Sequence, residues 1–150
     1  MRLPSILLAA VAAVAAAVPQ AQAHAQDPHA TLTVGSATAR RGERSYGVIA
    51  VPAGSDSALS IRVAVINGSK PGPVVAMVSG AHGTEYTSIV ALTRIIERID
   101  PKSLAGSVIV VPLINVASFE QMVPHINPVD RKGMNGGYPG DSADRNRCVR

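Results

Sequence analysis

The densest chemistry in the chain lies in seven residues, Ser79-Gly80-Ala81-His82-Gly83-Thr84-Glu85. A histidine supplies a neutral ring nitrogen and a glutamate an anionic oxygen. Both are donors that suit Zn²⁺, which catalytic sites usually hold with three protein ligands and one open position. The flanking glycines let the backbone turn sharply enough for His82 and Glu85 to face one point. A plainer reading of the same residues makes Glu85 an acid at a helix start, favoured by the helix dipole, and His82 an ordinary loop histidine. His-x-x-Glu alone does not decide between them.

The elements around this segment give it a place. Val74 to Val78 is almost continuously apolar and bounded by Pro-Gly-Pro and Ser-Gly, which predicts a strand buried on both faces. From Glu85 to Ile99 the apolar residues Ile89, Leu92, Ile95, Ile96 and Ile99 repeat at helical spacing, with Arg94, Glu97 and Arg98 towards the other side. Asp100-Pro101 ends that helix. A second buried strand is expected over Val108–Leu113. Strand, helix and strand make a parallel unit with a right-handed crossover. In such sheets ligands bind beyond the carboxyl ends of the strands, which is where His82 and Glu85 fall.

Upstream, Thr31–Val34 reads as a short strand and Arg40–Glu43 as a charged turn. Ser45–Val51 and Leu59–Ile66 read as an antiparallel pair, the second strand ending at the turn signal Asn67-Gly68. From Asn115 to Gly140 the chain is rich in Pro, Gly and Asn and shows no periodicity. It is expected to be a long functional loop.

Two separated motifs in this order resemble the succinylglutamate desuccinylase/aspartoacylase family of the zinc carboxypeptidase superfamily. Ser79–Glu85 is similar to its Gly-x-His-Gly-x-Glu signature, with the buried strand before it, the helix after it, then Val111-Pro112 and Asn115. The segment Asp130-Arg131-Lys132-Gly133-Met134-Asn135-Gly136-Gly137-Tyr138-Pro139-Gly140 resembles the family's Asp-x-x-Asn/Asp-Leu-Asn-Arg-x-Phe-Pro-Gly. The resemblance runs from about Val74 to Gly140 and implies an α/β, zinc-carboxypeptidase-like mixed sheet with flanking helices, preceded by N-terminal β-strands. It implies Zn²⁺ as cofactor, His82 and Glu85 as the first two ligands, and Asn135 on the substrate side. The arginine expected after Asn135 is Gly136, which leaves the substrate class open. A second family arginine aligns near His125. That histidine therefore has three readings: a substrate-side group, an ordinary loop residue, or the third ligand of a remodelled site.

The resemblance also implies a third zinc ligand, a histidine, and a general-base glutamate further on. Asp141–Arg150 contains neither residue type. The expectation is a truncated catalytic domain over residues 45–150, inactive by itself, with the general base beyond Arg150. The implied substrate is a small acyl-amino acid or peptide-like molecule, cleaved at an amide or ester bond. The alternative is a non-catalytic exported domain that binds a metal or ligand.

The N-terminus sets the compartment. Met1-Arg2, the apolar run Ile6–Val18 and Ala21-Gln22-Ala23 have the layout of a signal peptide over residues 1–23. The run is shorter than the roughly 20 residues of a spanning helix. Export to the periplasm or medium is expected, with no stable membrane insertion after cleavage. Residues 24–44 then form a leader and the first short strand. Cleavage removes one charge, Arg2, and takes the formal net charge from +4 to +3. The bases are scattered and the aromatics are only Tyr46, Tyr86, Phe119 and Tyr138. This excludes the basic stripe or stacking platform of a nucleic-acid binder. Cys148 is the single cysteine, so no internal disulfide is possible and stability must come from packing or a metal.

Overall fold

A computed structural model describes residues 29–53 and 57–137. The expected signal segment 1–23, residues 24–28 of the expected leader, and the stretch from Tyr138 to Arg150 lie outside the described residues. The element order is β1 (Thr31–Val34), β2 (Ala37–Arg40), β3 (Glu43–Val51), β4 (Leu59–Asn67), β5 (Lys70–Val78), α1 (Tyr86–Arg98), β6 (Ala105–Val111), α2 (Val116–Glu120) and a 3₁₀ turn, Met134–Gly137. No helix among the described residues is long and apolar enough to cross a membrane.

The main sheet has the order β3-β4-β6-β5 and is mixed. β3 pairs antiparallel with β4 from Glu43↔Asn67 to Val51↔Leu59, as expected for the two strands read over Ser45–Val51 and Leu59–Ile66. β4 pairs antiparallel with β6, and β5 pairs parallel with β6 across the α1 crossover. Successive residues of β4 point to opposite faces, and all of Val63–Asn67 is buried. Val63 and Val65 meet Ala37 and Ala39 of a separate β1–β2 hairpin on one face. Ala64 and Ile66 meet Ile96 of α1 and Val108 and Val110 of β6 on the other. The framework is therefore three layers, hairpin on sheet on helix.

Three expectations are corrected. First, Val74–Val78 is not buried on both faces: Val74 is 39%, Val75 45% and Val78 45% exposed. β5 is the outermost strand of the described sheet, so its outer edge carries no neighbour. The hairpin lies over β3 and β4, which leaves the β5 side of that face open. Second, no strand was expected between Val34 and Arg40, yet Ala37–Arg40 forms β2; the turn expected around Gly42 is present and joins β2 to β3. β2 offers only small side chains to the core, so no bulky alternation marks it. Third, the segment from Asn115 is not without structure, since α2 and the 3₁₀ turn occupy it. Five residues of helix are too few to show a 3.6-residue period. Asn67 also goes beyond a turn signal. It is fully buried, accepts from the Ser107 hydroxyl at 2.9 Å and donates to the Ala39 carbonyl at 3.1 Å, joining the sheet to the hairpin.

Candidate functional site

The two parallel strands end side by side, and their pairing continues into the loops. Ser79 N–H donates to the Val111 carbonyl at 3.0 Å, Ile114 N–H to the Ser79 carbonyl at 3.1 Å, and Asn115 N–H to the Gly80 carbonyl at 3.0 Å. The Ser79 hydroxyl donates to the Pro112 carbonyl. Gly80 sits at φ +67, and a Cβ there would lie 2.8 Å from Leu113 Cδ1. Only glycine takes that backbone shape without strain. The segment bearing His82 is thus tied to the β6 loop before it reaches the histidine.

His82 and Glu85 are brought together. His82 Nδ1 lies 3.0 Å from Glu85 Oε1, with the imidazole 21% and the carboxylate 54% exposed. Glu85 is the N-cap residue of α1, yet its side chain makes no capping hydrogen bond. The helix-start reading of this residue predicts a carboxylate turned onto the helix amides. Instead it is turned onto the histidine ring. An open depression of about 520 Å³ borders Glu85, lined by Thr84, Glu85, Tyr86, Thr87, Ser88 and Ala91. It touches neither His82 nor His125.

His125 joins the pair. Its ring meets His82 edge-on, with centroids 4.9 Å apart and planes at 85°. Its backbone is left-handed, at φ +66, a conformation that non-glycine residues adopt infrequently. Asn135 lies in the 3₁₀ turn with its side chain exposed, and among the described residues no hydrogen bond joins it to His82, Glu85 or His125. Gly136, in the position of the family arginine, occupies the same turn.

A metal would find two converging donors in His82 Nδ1 and Glu85 Oε1, accessible to solvent. Their separation is close enough for both to face one ion after a small opening, so the pair fits one side of a metal site. Among the described residues no group of three potential ligands is assembled.

Sequence reasoning gave no structural role to two residues that hold this site, Asn115, named there only as part of the family resemblance, and Ser118. Asn115 caps α2 by accepting from Ser118 N–H at 3.2 Å and donates to the Ala81 carbonyl at 3.0 Å. The Ser118 hydroxyl accepts from Gly83 N–H at 2.9 Å. Both are almost wholly buried. The available signal was an asparagine at a helix start, but α2 is too short to have drawn attention to it. A Cβ on Gly83 would lie 2.1 Å from Phe119 N, so the loop rests directly on α2. Tyr86 closes the same junction against Phe119, edge-on at 5.8 Å.

Comparison with known proteins bears on the family and the fold. The catalytic-domain model of succinylglutamate desuccinylase/aspartoacylase matches residues 71–148. An N-alpha-acetyl-L-2,4-diaminobutyric acid deacetylase of Halomonas elongata is 30% identical over 100 residues, covering 64% of this chain and 29% of that protein. A crystal structure of an aspartoacylase family protein from Mesorhizobium loti is similar with a TM-score of 0.59 and 27% identity, over 65% of this chain and 31% of that one. One of a succinylglutamate desuccinylase/aspartoacylase from Rhodobacter sphaeroides gives 0.57 and 29%, over the same shares, 65% and 31%. The chain spans about 29–31% of the length of these relatives.

Proposed function

Because this chain belongs to the succinylglutamate desuccinylase/aspartoacylase family, we propose that it carries the first two metal ligands of a zinc-dependent hydrolase acting on small acyl-amino acids or peptide-like substrates. The bond cleaved is an amide or ester. The observation that carries this reading is the turn of the Glu85 carboxylate away from its own helix and onto His82 Nδ1 at 3.0 Å.

His82 supplies the neutral nitrogen and Glu85 the anionic oxygen. Bound zinc supplies Lewis acidity, polarising a carbonyl and making water a nucleophile near neutral pH. Gly80 and Gly83 keep the loop low against Leu113 and Phe119, so both donors stay at the strand ends. His125, at the edge of the His82 ring, can offer a ring N–H to an oxygen of an acyl-amino acid. Asn135 can offer its side-chain amide N–H to the carboxylate of such a substrate. The deacetylase activity named for the Halomonas elongata relative supports an N-acylated amino acid as substrate class.

The test uses the full chain and two variants. Residues 1–150 by themselves are expected to bind zinc weakly, since the two proposed side-chain ligands leave most of the coordination to water. His82→Ala is expected to abolish even that binding, and Glu85→Gln to weaken it strongly. Equal zinc affinity in all three proteins would remove both residues from the ligand set. Tight one-to-one zinc binding with turnover would instead make His125 the third ligand.

A second reading, a metal- or ligand-binding domain without turnover, draws support from Gly136 in the arginine position. It predicts zinc binding unaccompanied by hydrolysis in any longer form of the polypeptide. We also propose export, on the apolar run Ile6–Val18 and the small-residue site Ala21-Gln22-Ala23. N-terminal sequencing of the mature protein should return a start at or near His24; Met1 or Arg2 would overturn it.

A further inference from the structure

We propose that Ser118 is a positioning residue whose single hydroxyl sets the distance between the loop carrying His82 and the loop carrying His125. Ser118 is 0% exposed. Its Oγ accepts from Gly83 N–H at 2.9 Å and donates to the Val123 carbonyl at 2.6 Å. Gly83 is the residue after His82, and Val123 lies two residues before His125. A hydroxyl has one proton and two lone pairs, so one buried atom satisfies a donor from the first loop and an acceptor from the second.

The surroundings make this a linkage rather than a local bond. Asn115 holds the other side of His82 through the Ala81 carbonyl, and its own oxygen accepts from Ser118 N–H. His82 is thus bracketed by two residues that are themselves joined, the Asn115 side chain to the Ser118 backbone. On the second loop, Val123 N–H donates back to the Ser118 carbonyl at 3.0 Å, so Val123 is fixed at both polar groups. Pro124 follows, with its φ fixed by the ring, and then His125 in the left-handed region. Little freedom is left between the Val123 carbonyl and the His125 backbone. The product of these constraints is the edge-on contact of the two imidazoles at 4.9 Å. The geometry stands without a metal; only its consequence for affinity rests on the proposed ligand role of His82.

The experiment compares the full chain with Ser118→Ala, Ser118→Thr and, as a remote control, Ser69→Ala. The control removes a similar bond, Ser69 Oγ to the Lys102 carbonyl at 2.6 Å. Two readouts are taken below the unfolding temperature: the NMR cross-peak between the His82 and His125 ring protons, and Zn²⁺ affinity by chelator competition. Ser118→Ala should lose the cross-peak and bind Zn²⁺ about 10–100-fold more weakly, the range for a lost partner behind a metal ligand. Ser118→Thr and Ser69→Ala should keep both. An unchanged cross-peak in Ser118→Ala, or its loss in Ser69→Ala as well, overturns the proposal. Wild type that binds no Zn²⁺ defeats the metal reading, and the cross-peak still decides this one. Should Ser118→Ala fail to fold, the Gly83 amide of wild type decides: hydrogen exchange as slow as in β6 supports the linkage, and exchange at the rate of an open loop overturns it.

Discussion

The two halves of the sheet are held by different means. On the β3–β4 side, nine antiparallel residue pairs run in unbroken register, the β1–β2 hairpin presses two fully buried alanines onto β4, and β4 is buried on both faces over Val63–Asn67. On the β5 side the pairing is parallel and shifts register between Lys70 and Val74, and three valines are more than a third exposed. The loops that leave this side carry His82 and His125. They are fixed less by apolar packing than by buried hydrogen bonds from Asn115 and Ser118. A site that must stay open to a ligand cannot be held by a sealed apolar core. Directional bonds to the backbone can hold it while leaving His125 exposed and His82 partly accessible.

That contrast makes graded predictions. The largest effect should come from the closed side. Ile66 is 0% exposed at the centre of the helix-facing cluster, and Ile66→Ala should cost about 2–5 kcal/mol in chemical denaturation. A cost under about 1 kcal/mol would mean that the framework is not the packed body described. Gly83→Ala comes next. Its new methyl group would collide with the Phe119 backbone, 2.1 Å away from the ideal Cβ position. About 1–3 kcal/mol is expected for such overpacking, together with loss of the His82–His125 ring contact in NMR spectra. A variant that keeps both stability and contact would show that the loop does not rest on α2.

Smaller effects belong to the open side and to the seam. Val75→Thr, on a strand residue 45% exposed, should change stability by no more than about 0.5 kcal/mol. A loss comparable to that of Ile66→Ala would erase the distinction between the two sides. The seam is where β3 reaches α1. Arg44 Nη1 donates to Glu97 Oε2 at 3.1 Å and Nη2 to the Ile99 carbonyl at 2.7 Å, and the Tyr46 hydroxyl donates to Glu97 Oε1. Lost hydration first, and then the bond to Glu97, raise the Tyr46 pKa above its ordinary 10.0. A raised folded-state pKa gives stability that is complete below pH 10 and falls as pH rises through the folded value. Tyr46→Phe should therefore flatten the alkaline limb of a stability–pH curve by a small amount, since the ring is largely exposed. An unchanged limb would remove this tyrosine from the seam.

Much of this was legible in the residues. The five isoleucines and leucines at helical spacing located α1 to within a residue at each end. The two strand-like runs before Asn67-Gly68 located β3 and β4 and their antiparallel pairing. The parallel β5–α1–β6 unit followed from two apolar runs flanking a helix. β2 was not legible, because Ala37 and Ala39 acquire their burial only when the hairpin folds onto β4. The exposure of β5 was not legible either. An apolar run looks the same whether a neighbour covers it or not, and strand order is a property of the whole sheet.

For the candidate site, the sequence by itself set the two proposed donors side by side and fixed their neighbourhood. A histidine and a glutamate three residues apart, between a buried strand and an amphipathic helix, must emerge at a strand's carboxyl end. Their order and glycine spacing also identify the family. Only the tertiary structure decided the rest. It turned Glu85 from its helix to His82, brought His125 from 43 positions away in the sequence to within ring contact, and placed Asn115 and Ser118 beneath the loop. The reason is range. Spacing fixes what neighbouring residues can share, whereas contacts between distant loops depend on where α2 comes to rest, and five residues of helix carry no periodic signal of their own.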